Sequence, residues 1–412
     1  MNILVVNWTW YPSGGDWTYV ENICKLYKQN GHKIIPFSMK DERNYFTEYS
    51  KYFIEKIDYK ELYKDISILN GIKTLKKSIY SNEAKYKIKW LLEENRIDLV
   101  HLNNVHHYIT PSILSVIKKF KIPIIWTVHD YTFLCPENVF INNGNICEKC
   151  KGGYFYHCVI DRCKKKSYLA SFLAALDNYI YKFLDYYSCI EYFICPSSFI
   201  YNKFKEFGFY QDKLIQIYNC YDFDKREISK EKEINISNEK YIVFVGRLEK
   251  IKGVNTLLKA MKNIPDVKLK IIGNGAQEIQ LKKYKDLNNL HNVEFLGKRE
   301  KEEVLEIVRK SLFIICPSEW YEVLGFVIIE AMLLGKPVIG SRIGAIPELV
   351  IENLTGLLFD AANAGELSEK IVKLYYNNEL ISKYGQNAKY HISNIVSFEN
   401  HFKELKKIVP NL

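Results

Sequence analysis

The sequence contains no run of 18 consecutive apolar residues, so no membrane-spanning helix is expected. Its first residues, MNILVVNWTW, lack the basic n-region and cleavage site of a secretory leader and read as a first strand. The expectation is therefore a cytoplasmic protein. No helix-turn-helix, RNA-recognition or zinc-finger pattern occurs, which argues against a nucleic-acid partner. The glycine turn near the start is not G-x-G-x-x-G, so the dinucleotide fingerprint is missing. No catalytic nucleophile stands out. What remains is an ordinary globular composition, 48% apolar and 26% charged, in 412 residues, enough for two domains. Against 48 Asp and Glu stand 58 Lys and Arg, a net charge of +10 that favours anionic partners such as nucleotide diphosphates or acidic headgroups.

The most legible stretch is Cys316 to Leu349, CPSEWYEVLGFVIIEAMLLGKPVIGSRIGAIPEL. Its pattern predicts a strand from Leu312 to Cys316, a polar loop, a helix from Phe326 to Leu334 closed by Gly335, and a strand from Pro337 to Ser341. In open α/β sheets, ligands bind at the carboxyl ends of strands. Gly325 allows close approach of the backbone at the helix start, where the first N–H groups are free to take an anion. Glu322 falls in that loop and Glu330 on the helix, eight residues on. Two carboxylates flanking a phosphate site suit a ligand with phosphates in the middle and hydroxyls at both ends, as in a nucleotide-sugar. The plainer alternative is that both are ordinary exposed helix-surface residues, and for one glutamate alone that reading is favoured.

The chain opens with a strand over Ile3–Asn7, the turn Gly14-Gly15-Asp16, a helix over Trp17–Gln29 with Gly31 at its C-terminal cap, and a strand over Lys33–Phe37. Ile72 to Leu92 carries Lys73, Lys76, Lys77, Lys85, Lys87 and Lys89; it reads as a solvated face, with peripheral contact to an anionic membrane as the alternative. The strand over Ile122–Val128 ends at His129, whose place at a strand's carboxyl end points to a ligand crevice. Five of the ten cysteines (Cys135, Cys147, Cys150, Cys158 and Cys163) crowd into an insertion near 135–166. Four of these thiolates could supply a structural zinc; unligated or redox-labile thiols are the other reading, and the two stay open. The charged stretch 223–240 reads as a linker between residues 1–222 and a second domain at 241–390, followed by a C-terminal helix at 391–412. In Gly246-Arg247-Leu248-Glu249-Lys250-Ile251-Lys252-Gly253, Arg247 offers a planar donor fork and Lys252 a point charge for a diphosphate. Two surface cations are the plainer alternative.

E-x7-E inside EVLGFVIIEAM, with GKPVIGSRIGAIPELV after it and G-R-x4-K-G before it, resembles the GT-B glycosyltransferases of retaining family 4. The similarity runs from Met1 into the C-terminal helix and is weakest from about Asp41 to Tyr80. It implies two Rossmann-like parallel-sheet α/β domains facing a cleft, with residues 391–412 crossing back to the first domain. By this resemblance, Gly14, Gly15 and Asp16 would touch the donor sugar or its phosphate. His129 matches the family's His-Asp histidine near the bound sugar, and Gly273 and Gly297 would border the base. Leu324, Gly325 and Phe326 would complete the phosphate loop, although Val323 replaces its first glycine. Cys220 likewise replaces the glycine of the family's Asn-Gly-apolar-Asp pattern. Glu322 would grip the hexose hydroxyls and Glu330 the ribose hydroxyls, with catalysis assigned to His129, Glu322, Arg247 and Lys252. The implied activity is hexosyl transfer, with retention, from a UDP- or GDP-sugar to a glycan or lipid-linked acceptor in surface polysaccharide assembly. Family members need no metal in the active site, and Asp222-Phe223-Asp224 is the sole Asp-x-Asp here. A nucleotide-sugar epimerase or phosphorylase of the same fold, or a non-catalytic nucleotide-sugar-binding protein, are the rival readings.

Overall fold

The computed structural model describes residues 1–56, 80–106, 108–223 and 240–412. Lys73, Lys76 and Lys77 lie outside the described residues, as do residues 224–239 of the expected linker. The chain divides into two compact units. The first holds Met1–Cys220 and His401–Leu412, and the second holds Tyr221–Asn400.

The first unit is built on six strands: β1 (Asn2–Val6), β2 (Lys33–Phe37), β3 (Leu99–Leu102), β4 (Ile124–Thr127), then, past the hairpin of β5 (Ile141–Asn142) and β6 (Asn145–Ile146), β7 (Tyr192–Cys195) and β8 (Leu214–Gln216). They run parallel in the order β2-β1-β3-β4-β7-β8. Ile3, Leu4, Val5 and Val6 are all fully buried, as a parallel strand covered on both faces requires. The helix Gly15–Gln29 returns the chain from β1 to β2, and Gly31 at φ 77° ends it. Ser197 accepts from the Ile200 N–H at 3.3 Å and so starts the helix Ser198–Glu206. Of the basic stretch, Asn82–Glu94 is a helix whose Ala84, Ile88, Leu91 and Leu92 face the core. Its apolar side is spent on internal packing, and Lys85, Lys87 and Lys89 lie on its outer faces. The last helix, Phe398–Ile408, brings His401 to the first unit, where its ring lies 3.3 Å from the Tyr19 hydroxyl and 2.7 Å from the Tyr218 carbonyl oxygen.

The second unit repeats the plan with β9 (Tyr241–Val245), β10 (Lys268–Ile272), β11 (Val293–Gly297), β12 (Ile314–Cys316), β13 (Val338–Ser341) and β14 (Gly356–Phe359). Their order, β11-β10-β9-β12-β13-β14, is that of a Rossmann sheet. All pairs are parallel. Leu257, Leu258 and Met261 of the helix Val254–Met261 meet Leu367, Ile371 and Leu374 of the helix Ala364–Tyr375 in one core over the sheet. In both sheets the strand order reverses once beside the first strand, and the loops leaving the strands there are left without a crossing helix above them.

Candidate active site

In the second unit the reversal falls between β9 and β12. The loop leaving β9 carries Arg247 and Lys252; the loop leaving β12 carries Ser318 and Glu322. These two loops touch at backbone distance. A Cβ on Gly253 would stand 1.8 Å from the Pro317 carbonyl oxygen, and Glu319 N–H donates to the Ile251 carbonyl at 2.8 Å. Lys252 Nζ therefore reaches Glu322 Oε1 at 2.5 Å, and Ser318 Oγ donates to the same oxygen at 2.6 Å. Ser318 is itself placed by Ser341, whose hydroxyl donates to the Ser318 carbonyl at 2.6 Å. Glu322 is buried, at 6% exposure. Burial pushes its carboxyl up, but the charge of Lys252 and hydrogen bonds from Lys252, Ser318 and Trp320 outweigh it, so the group titrates below its ordinary range. The result is an ionised carboxylate and an ammonium held at a sheet's carboxyl edge.

Gly325, at φ 93°, begins the helix Phe326–Leu333, and no side chain caps it. Leu324 is buried beneath that start, and the Phe326 ring lies 6.3 Å from the ring of Tyr221. Further along the helix, Glu330 Oε1 accepts from the Tyr221 hydroxyl at 2.9 Å. Gly273 ends β10, so close to the loop after β9 that a Cβ there would meet the Gly246 oxygen at 1.9 Å. Its N–H donates to the Gly297 carbonyl at 2.9 Å. Arg247 is oriented differently from Lys252: its side chain is 66% exposed and pairs with Glu249 at 2.9 Å.

In the first unit the reversal lies between β1 and β3. Gly14 and Gly15 open the helix after β1. Asp16 Oδ2 accepts from Trp8 Nε1 at 2.8 Å and from Asn104 Nδ2 at 2.9 Å, tying the loops after β1 and β3 together. His129, after β4, has Nε2 2.9 Å from Asn103 Oδ1, so with the amide oxygen as acceptor this nitrogen carries the proton. Burial lowers the imidazole to about 4 against the pull of Asp16, leaving it neutral at physiological pH. Asn103 is buried with its amide nitrogen unpartnered among the described residues. Cys220, at the glycine position of the family pattern, is fully buried.

Sequence reasoning named Lys252 and Glu322 without seeing that they pair, and it passed over Ser318, Tyr221, Asn103 and Asn104. Asn103 and Asn104 directly follow a strand end, the one signal that would have found them. The five insertion cysteines line one cavity of about 10 Å³. Among the described residues, no group of three or more His, Cys, Asp or Glu is arranged to hold a metal ion. Burial pushes the Cys135 thiol up to about 11, and burial together with Cys135 takes Cys150 to about 12.

Two six-stranded parallel sheets, with charged loops at the strand-order reversals, define the GT-B class of fold. Comparison with known proteins gives the family. Residues 13–225 match Glycosyltransferase Family 4, and residues 225–391 match Glycosyl transferases group 1. The chain belongs to this family and is a glycosyltransferase. It is 29% identical over 408 residues to the uncharacterized glycosyltransferase MJ1178 of Methanocaldococcus jannaschii, covering 98% of this chain and 96% of that one. It is 31% identical over 182 residues to the N-acetyl-alpha-D-glucosaminyl L-malate synthase of Bacillus anthracis, covering 42% and 47%. Among solved structures, Anabaena HepE in complex with UDP and glucose superposes with a TM-score of 0.68 at 19% identity, all of both chains being covered. Among the described residues no helix is long and apolar enough to cross a membrane.

Proposed function

We propose that this glycosyltransferase moves a hexose-type sugar, with retention, from a UDP- or GDP-sugar to a glycan or lipid-linked acceptor in surface polysaccharide synthesis. The observation that carries the proposal is the Lys252–Glu322 pair at the β9/β12 reversal, beside the uncapped helix start at Gly325. An ammonium and a helix start without a side-chain cap, within one pair of touching loops, suit a diphosphate. The relative that binds UDP and glucose on the same fold is in keeping with such a donor.

In this reading, Lys252 offsets the charge that grows on the diphosphate as the sugar–phosphate bond breaks, and Arg247 swings from Glu249 to join it. Glu322, held ionised, accepts hydrogen bonds from hexose hydroxyls, while Glu330 accepts from the ribose, with Tyr221 fixing its carboxylate. Gly273 and Gly297 border the base, and Leu324, Gly325 and Phe326 shape the phosphate loop. The second unit is thus the donor side. The first unit is the acceptor side, with Gly14, Gly15 and Asp16 at its first turn and neutral His129 as a hydrogen-bond donor to a sugar oxygen.

The test is a thermal-shift screen of purified protein against UDP- and GDP-sugars, followed by kinetics of two variants. A true donor raises the midpoint because it binds only the folded state. Glu322→Ala should lower turnover at least a hundred-fold, whereas Glu330→Ala should mainly raise the donor KM. Full activity in both variants would remove the assignment.

A further inference from the structure

In the helix Tyr168–Phe183 of the first unit the face packed inward is mostly small or polar: Ala170, Ser171, Ala174, Ala175, Asp177 and Asn178, with Tyr181. A row of large side chains points away: Leu169 is 38% exposed, Phe172 51%, Tyr179 37% and Phe183 88%. With half-buried Leu176 they recur at alternating intervals of three and four, one continuous stripe along the helix. The neighbouring insertion extends it. The Tyr156 N–H donates to the Tyr179 hydroxyl at 3.1 Å, the Phe155 ring lies 5.2 Å from the Tyr179 ring, and Tyr154, Tyr156 and Ile160 are exposed beside them. Among the described residues, nine of the twenty exposed large apolar side chains fall between Tyr154 and Leu184. Scattered single apolar residues need no explanation, but a contiguous patch of this kind marks a contact surface.

Charge decides what it contacts. From Lys149 to Leu184 there are seven Lys and Arg against two Asp; Lys149, Lys151 and Lys164 pair with Asp161, Glu206 and Glu137, so Arg162, Lys165, Lys166 and Lys182 carry the positive charge of this face. Lys164, Lys165 and Lys166 stand just before the helix and Lys182 near its end, and the Arg162 guanidinium lies 5.2 Å from the Tyr168 ring. An outward stripe of Phe, Leu and Tyr bracketed by cations is the pattern of a helix lying in a membrane interface. A second copy of the chain would set this positive patch against itself. The helix Asn82–Glu94, the other basic candidate, has its apolar face buried.

We propose that this face docks on the anionic surface of a lipid bilayer. Phe172, Phe183 and Leu169 enter the boundary between headgroups and acyl chains, and Lys165 and Lys166 meet headgroup phosphates.

The experiment is co-sedimentation of the full-length protein with phosphatidylcholine vesicles, with and without phosphatidylglycerol. The expected result is partition onto the anionic vesicles only, weakened by salt. Phe172→Ser/Phe183→Ser should reduce partition at least ten-fold. Lys165→Ala/Lys166→Ala should reduce it roughly 25-fold, about five-fold per cation. Because these side chains are exposed, the thermal midpoint of both variants should match that of the parent, which separates lost docking from lost folding. The proposal is overturned if the parent ignores anionic vesicles, or if the variants partition as it does. It is overturned equally if sedimentation equilibrium shows a dimer that Phe172→Ser/Phe183→Ser dissociates.

Discussion

Replacing Gly344 by alanine should displace the carboxylate on which the proposed donor site rests, and Gly297 provides the stability control. Both glycines have positive φ, 60° and 71°, so both substitutions force an L side chain into the left-handed region, at about 1–2 kcal/mol. They differ in what the new methyl meets. At Gly297 nothing lies within 4 Å. At Gly344 the Cβ would stand 2.4 Å from the backbone nitrogen of Glu322 and 2.7 Å from its oxygen. Ordinary contact begins near 3.4 Å, so the loop must retreat by about 1 Å (3.4 − 2.4). That retreat strains the 2.9 Å bond from Ala345 N–H to the Glu322 carbonyl, and overpacking of this kind costs about 1–3 kcal/mol. A displacement of about 1 Å at a reacting centre can lower the rate about a hundred-fold. Urea unfolding should therefore show Gly344→Ala less stable than Gly297→Ala by about 1–3 kcal/mol, and sugar transfer by Gly344→Ala should fall about a hundred-fold below the parent. Equal midpoints for the two variants, or a parental rate for Gly344→Ala, would refute the reasoning.

Further outcomes follow from the same contacts. Lys252→Met leaves Glu322 buried without its cation and should destabilise the fold by about 3 kcal/mol in urea unfolding; Lys252→Met/Glu322→Gln should recover part of that stability but none of the activity. Tyr221→Phe removes one hydrogen bond to Glu330, worth about 1 kcal/mol, so the donor KM should rise several-fold with kcat unchanged in steady-state kinetics. Burial holds His101 down to about 3, and His129 and His401 to about 4. Between pH 6.5 and 4 the unfolded chain binds more protons than the folded one, so stability should fall as pH falls through that window, by up to about 1.4 kcal/mol per unit for each histidine. Chemical denaturation at pH 7 and pH 5 measures the loss, and equal stability at the two values would contradict the burial of these rings.

The residue pattern alone determined the alternation of strand and helix. β7 and β9 fall where the apolar runs place them, because a strand covered on both faces must be apolar throughout, and the edge strand β2 and the alternating β10 (Lys268-Leu269-Lys270-Ile271-Ile272) also fall at their expected bounds. It also set the bounds of the helix after β12, since Gly325 and Gly335 mark where that helix starts and stops. Three-dimensional packing decided the rest. That Lys252 meets Glu322, 70 residues away, depends on β9 and β12 becoming neighbours. That Tyr221 holds Glu330, and His401 reaches Tyr19, likewise depends on long-range docking that no local period encodes. The apolar stripe of Tyr168–Phe183 makes the same point. Periodicity shows a helix with apolar residues on two faces, and only the packing of its small side chains inward shows which face stays in contact with solvent, because small residues let two backbones approach where large ones would hold them apart.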